Sequence, residues 1–132
     1  MKKIIAAIAL AIPTIAAAQT QADYEHAVGK FIRHYNKYES DSIVNMWTDY
    51  KDDMKRMWSK EELERLHKKY GEILSYKFMG RDTSDHGIRV FKIKGSKKTF
   101  ALSLTMGKHN ELGTFRFDTL TNEIERMLKS TD

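Results

Sequence analysis

The chain has 132 residues, no cysteine and a formal net charge of +5. The lack of cysteine excludes disulfides, thiolate metal sites, a thiol nucleophile and a lipid-modified cysteine anchor. Because 18 acidic residues are interspersed among 23 basic ones, the charge predicts a mixed surface and no nucleic-acid partner.

The first 18 residues have the pattern of a secretory leader. Lys2 and Lys3 precede an apolar run from Ile4 to Ile15, and the small residues Ala16–Ala18 suit a signal peptidase. The run is shorter than the roughly 20 residues of a membrane span, so we expect no stable membrane anchor. We therefore predict a signal peptide over 1–18, cleavage near Ala18, and a protein that is exported to the periplasm or secreted.

The remaining chain predicts a flexible terminus at 19–22 and one domain at 23–130, which is the usual domain size. Apolar residues at helical spacing predict a first helix over 23–38, with Asp23 as its cap. Ser40 and Asp41 are predicted to cap a short second helix. The charged segment 49–57 is interpreted as a turn or helix fragment.

The third helix has clear boundary signals. Ser59 and the glutamates after it form a capping-box pattern, and Gly71 follows Tyr70 where a left-handed residue would end the helix. Beyond Gly71, alternating residues predict strands at 72–81, 88–94, 98–106 and 112–119. Short turns between them favour antiparallel hairpins, and residues 121–128 predict a last helix.

The alternation separates two faces of the predicted sheet. The inner face is predicted to carry large apolar side chains, namely Leu74, Tyr76, Phe78, Phe91, Ile93, Phe100, Leu102, Leu104, Met106, Phe115 and Phe117. The outer face is more polar, with Ile73 and Val90 as exceptions. A sheet of this kind needs a cover on one side only. We predict an α+β fold in which N-terminal helices pack on one face of a curved four-stranded antiparallel sheet.

This order of elements resembles the nuclear transport factor 2-like superfamily. The likeness lies between Met46 and Leu120, in MWTDYKDDMKRMWSKEELERLHKKYGEILSYKF and RVFKIKGSKKTFALSLTMGKHNELGTFRF. It implies a cone-shaped, cystatin-like arrangement, similar to small exported bacterial modules of unknown function that occur alone or ahead of serine-hydrolase domains. The chain lacks the Ser-x-x-Lys and Gly-x-Ser-x-Gly motifs of such hydrolases.

The predicted inner face has no Asp, Glu, His or Lys on any strand, so we expect a non-catalytic module that binds a small apolar ligand or a protein. The residues predicted to line a pocket are Phe31, Tyr35, Trp47, His67, Tyr76, Phe78, Phe100 and Phe115. One alternative is a small isomerase or hydrolase that uses Tyr76 with His67 or His34. Another is an accessory domain for a separately encoded hydrolase.

The remaining signals concern metals and partners. The five histidines have no metal-binding spacing, and no cofactor is expected. The basic run Lys92–Lys98 is interpreted as a solvated hairpin tip, with a weak anionic contact as the alternative. A homodimer through the outer sheet face is predicted, with Arg116 and Asp118 as candidate partners across the interface.

Overall fold

The computed structural model describes residues 19–82, 87–122 and 124. The predicted leader, most of the predicted turn at 83–87 and the end of the predicted last helix lie outside the described residues. In chain order, the helices are α1 (Gln21–Asn36), α2 (Ser40–Val44), α3 (Lys51–Met57) and α4 (Lys60–Tyr70). The strands are β1 (Ile73–Asp82), β2 (Ile88–Gly95), β3 (Thr99–Met106) and β4 (Leu112–Thr119).

Helix α1 begins earlier than predicted because Thr20, and not Asp23, is its N-cap. The Thr20 hydroxyl accepts a hydrogen bond from the Asp23 amide, and the Asp23 carboxylate accepts one from the Thr20 amide. This reciprocal pair satisfies two amides at the helix start. Asp23 is therefore the third residue of the helix, and its assignment as the cap was wrong.

The ends of α4 follow the sequence signals, whereas the start of α2 does not. Ser59 caps α4 by accepting a hydrogen bond from the Glu62 amide, and Gly71 ends the helix with a φ of 80°. Ser40 is the first residue of α2 and makes no side-chain cap, so its predicted capping role was wrong. Its hydroxyl donates to the Trp58 carbonyl and joins α2 to the start of α4.

The four strands form one antiparallel sheet in the order β1-β2-β3-β4. Each strand pairs with its sequence neighbour, as short connections favour. The α+β class and the four antiparallel strands are confirmed.

The core lies between the helices and the inner face of this sheet. Val28, Phe31 and Tyr35 from α1 and Leu63 from α4 pack in one cluster with inner-face residues of β2 and β3. The largest fully buried side chains are Tyr35, Phe31, Phe91, Phe100, Ile43, Leu63, Ile93, Leu102, Leu104 and Val28. Burial of large apolar side chains stabilises a fold by about 1.5–3 kcal/mol each.

The start of β1 departs from the predicted alternation. The register between β1 and β2 shifts between Ile73 and Ser75, so Leu74 has no partner in the ladder. Ile73 joins the core, whereas the Leu74 side chain is 59% exposed. The predicted places of these two residues were therefore wrong, because a bulge exchanges the face of every residue on one side of it.

Part of the outer sheet face is also covered. Ile88, Val90 and Ala101 form a second buried cluster, against which Leu120 packs. The chain after β4 turns over this part of the face, where Ile124 is half-buried and its amide donates to the Thr121 hydroxyl. The apolar exception Val90 therefore has a cover on the outer side.

Candidate functional site

The residues predicted to line a pocket lie mainly in the packed core. Phe31, Tyr35 and Phe100 are fully buried, and Trp47 is 4% exposed. His67, Phe78 and Phe115 are half-buried, whereas Tyr76 is 37% exposed at the sheet edge.

Aromatic rings fill the centre of this core. The ring centroid of Phe31 lies 4.7 Å from that of Phe115 and 5.3 Å from that of Trp58. Trp47 and Phe115 are 5.6 Å apart, in an edge-to-face arrangement. These separations are those of rings in direct contact. Among the predicted lining residues, Phe115 therefore contacts both Phe31 and Trp47.

His67 is held between two tyrosine rings. Its ring lies 4.0 Å from the ring of Tyr35 and 4.0 Å from the ring of Tyr38, with both pairs stacked. Its Nδ1 atom is 2.7 Å from the Leu63 carbonyl oxygen. The Nε2 atom is buried and has no hydrogen-bond partner among the residues that the structure describes. His67 therefore has a structural role, with its ring packed between the two tyrosine rings.

Tyr35 connects this stack to the start of the sheet. Its hydroxyl donates a hydrogen bond of 3.0 Å to the Gly71 carbonyl oxygen. Burial raises the pKa of Tyr35 far above its ordinary value, so the phenol stays neutral. A neutral, buried phenol that already donates to the backbone has a structural role.

Tyr76, His34 and His67, which the predicted enzyme would use, each contact a different group of the protein. The Tyr76 hydroxyl donates to the Glu25 carbonyl oxygen at 3.5 Å. His34 Nδ1 lies 2.8 Å from Glu39 Oε1, and this contact lowers the pKa of the Glu39 carboxyl. No hydrogen bond between described residues joins Tyr76 to His34 or His67.

A polar cleft, which we call the side cleft, lies against the face of α1 that carries Asp23, His26 and Lys30. It has a volume of about 320 Å³, within the usual range for small-molecule sites. One face of α1, the segment after α2 and the β3–β4 turn form its walls. Its lining residues are Asp23, His26, Ala27, Lys30, Asn45, Met46, Thr48, Met106, His109, Asn110 and Glu111.

Hydrogen bonds between distant segments fix these walls. The Leu112 amide donates to the Met46 carbonyl oxygen at 2.9 Å, and the Met106 amide donates to the Tyr24 hydroxyl at 3.2 Å. Gln19 Nε2 donates to Asn110 Oδ1 at 2.9 Å. The cleft is therefore a preformed feature of the fold.

Of the titratable side chains that line the side cleft, two accept hydrogen bonds from the backbone and three make no side-chain hydrogen bond to another described residue. The Asp23 carboxylate accepts from the Thr20 amide, which lowers its pKa, and Glu111 Oε2 accepts from the His109 amide at 3.0 Å. The side chains of His26, Lys30 and His109 are exposed and have no side-chain hydrogen bond to another described residue. The cleft therefore presents basic groups to a ligand, above a floor that includes the buried Ala27 and Met46.

Sequence reasoning missed the side cleft and also Arg89. Arg89 is buried on the inner face, where its guanidinium lies 4.4 Å from the Tyr24 ring centroid and donates to Gln21. Burial lowers its pKa. Its alternation with Phe91 and Ile93 was the available signal for this inward position.

Within the described ranges, no group of three or more His, Asp and Glu residues is arranged to hold a metal ion. No helix among the same residues is long and apolar enough to span a bilayer.

Comparison with known proteins gives no relative. No family model, curated protein sequence or solved structure matches the chain. The resemblance to the nuclear transport factor 2-like superfamily therefore stays a prediction.

Proposed function

We propose that this chain is an exported, non-catalytic module that binds a small anionic molecule in the side cleft. The observation that carries the proposal is a preformed cleft of about 320 Å³ lined by the exposed residues Lys30, His26 and His109, whose side chains make no hydrogen bond to another described residue. A ligand carboxylate or phosphate would accept hydrogen bonds from these groups.

The alternative binding site is the interior of the fold, where an apolar ligand would have to be held. The rings of Phe31, Trp58 and Phe115 occupy the centre of the core at contact distances. A ligand there would have to displace them, at a cost of several kcal/mol for each large side chain. The side cleft needs no such rearrangement.

The enzyme alternative has less support. General acid–base chemistry needs groups within about 3 Å of the atom whose proton moves. Tyr76, His34 and His67 each contact a different part of the backbone or a different side chain. The accessory role for a hydrolase stays compatible with a surface site, because it too needs no catalytic group in this chain.

The predicted homodimer is a further proposal for the outer face. Arg116 Nε lies 2.6 Å from Asp118 Oδ2 of the same strand, so these two side chains already pair within one chain. On this face, Leu120 packs against the buried cluster of Ile88, Val90 and Ala101. A dimer would therefore use the uncovered part.

The test is a titration of the isotope-labelled protein with succinate and with inorganic phosphate, followed by amide NMR. We expect concentration-dependent shifts at 23–30, 45–48 and 106–111, and weaker binding by Lys30→Ala. The matched control is Lys55→Ala, which removes an exposed lysine of α3 outside the cleft. Shifts centred on Phe31 and Phe115, or equal weakening by both variants, would contradict the proposed site.

A further inference from the structure

The outer face of β1, β2 and β3 carries a concentration of positive charge, which we call the lysine face. It consists of Ser75, Lys77, Lys92, Lys94 and Thr99. Lys77 lies directly opposite Lys92 in the β1–β2 ladder, and Ser75 lies opposite Lys94. Lys94 in turn pairs with Thr99 of β3.

This arrangement is unfavourable for the isolated fold. Strands lie about 4.8 Å apart and alternate residues about 6.7 Å apart along a strand, so the three lysines start from closely spaced positions. Like charges directly opposite one another destabilise a sheet. Each ion pair between described residues involves Arg or His as its basic member, so none neutralises these lysines.

The lysines also have an exposed apolar neighbour. Leu74, next to Ser75, is 59% exposed, whereas the Tyr76 hydroxyl reaches the Glu25 carbonyl oxygen on the helical side of the sheet. Lysines beside an exposed aliphatic side chain are typical of surfaces that lie on the headgroups of a bilayer.

We propose that the lysine face binds the anionic headgroups of a lipid bilayer. Charge complementarity carries this inference, and the form of the surface selects the occupant. The charged side chains project from one face of adjacent strands, so a plane of phosphates contacts all of them at once. A single small anion would contact only part of the set. Leu74 at the edge of the face then enters the interfacial region.

Binding in this way leaves the side cleft open. Strand β3 begins at Thr99 in the lysine face and ends at Met106 in the wall of the cleft. Seven steps of a strand separate the two positions by about 23 Å. A bilayer-bound protein can therefore still receive a soluble ligand.

The test measures co-sedimentation with vesicles, using protein obtained by expressing the full chain and with its N-terminus established by mass spectrometry. Vesicles of phosphatidylglycerol and phosphatidylcholine are compared with pure phosphatidylcholine. The variant K77Q/K92Q/K94Q is compared with K37Q/K55Q/K60Q, which removes three exposed lysines elsewhere. All proteins share the same N-terminus, so its contribution cancels.

We expect binding to the anionic vesicles only. At about fivefold per lysine, the lysine-face variant should bind about 100-fold more weakly, whereas the control should change little. Raising the ionic strength to about 0.5 M should release the protein. Leu74→Ser should weaken binding by up to about tenfold with no change in charge. Thermal unfolding of each variant verifies that it is folded.

Several results would overturn the inference. Equal losses in the two triple variants would mean that net charge alone is responsible. Equal binding to both vesicle types would exclude recognition of anionic headgroups. Binding to poly-glutamate without binding to vesicles would assign the face to an acidic polypeptide, and complete competition by millimolar phosphate would assign it to a free anion.

Discussion

The inner and outer faces of the one sheet carry opposite kinds of side chain. On the inner face, Phe91, Ile93 and Phe100 are fully buried against the helices. On the outer face, Lys77 and Lys92 oppose each other in the solvent. Burial of the inner face therefore stabilises the fold. The lysines of the outer face destabilise the fold by repelling one another, and this is the reason to assign them a binding role.

The largest expected effect is in the core that covers the inner face. Phe31→Ala removes a fully buried ring that contacts Trp58, Phe115 and Phe117. We expect the free energy of unfolding to fall by about 3–5 kcal/mol, measured by urea denaturation. The matched outer-face change Lys92→Ala should alter it by less than about 0.5 kcal/mol. Similar losses in both variants would contradict the assignment of stability to the buried core.

A smaller loss is expected where the helical layer meets the sheet. Tyr35→Phe leaves the ring in place but removes the donor to the Gly71 carbonyl oxygen. An unsatisfied buried carbonyl costs about 1–3 kcal/mol, so urea denaturation should detect a loss in that range. Tyr50→Phe, at a tyrosine that is 74% exposed, is the control and should have no effect. Equal stability of both variants would show that the hydrogen bond contributes nothing.

The outer face should give a change of opposite sign. Lys77→Glu converts a pair of like charges across β1 and β2 into an ion pair. We expect the free energy of unfolding to rise by about 0.2–1 kcal/mol at low salt and the gain to shrink at high salt. Repeating Lys77→Glu in a Lys92→Gln background should remove most of the gain. A salt-independent gain would point to a cause other than charge.

The smallest effect concerns the cap of α1. Hydrogen bonds from Thr20 lower the pKa of Asp23 below its ordinary value of 3.8. Asp23 therefore stabilises the fold fully above that value, and its contribution is lost as the pH falls through the lower folded-state value. Asp23→Asn should lower the melting temperature at neutral pH, and the difference should vanish near about pH 2. Glu64→Gln, at an exposed residue of α4, should show no such pH-dependent difference.

The positions of the strands could be predicted from the sequence, but the bulge in β1 could not. Alternation of apolar and polar residues predicted all four strands to within a residue or two, and the central strands β2 and β3 are the ones most fully buried. It placed Leu74 wrongly, because the bulge at that point depends on the pairing of β1 with β2 and not on local pattern. The cap of α1 was readable, since Thr20 and Asp23 have capping-box spacing.

The candidate site was harder to predict for a topological reason. The walls of the side cleft come from α1, the segment after α2 and the β3–β4 turn, which meet only in the folded chain. His26 and His109 are 83 positions apart in the sequence, and no local spacing connects them. The predicted lining residues were selected as large apolar side chains, and such residues are more often packed than open to a ligand.

The most direct test of the central claim is an experimental structure of the protein under xenon pressure. Xenon enters apolar cavities and leaves packed interiors empty. Because the rings of Phe31, Trp58 and Phe115 lie at contact distances, we expect no xenon atom among them. A well-occupied xenon site at that position would reveal an internal apolar cavity and would contradict the assignment of binding to the surface.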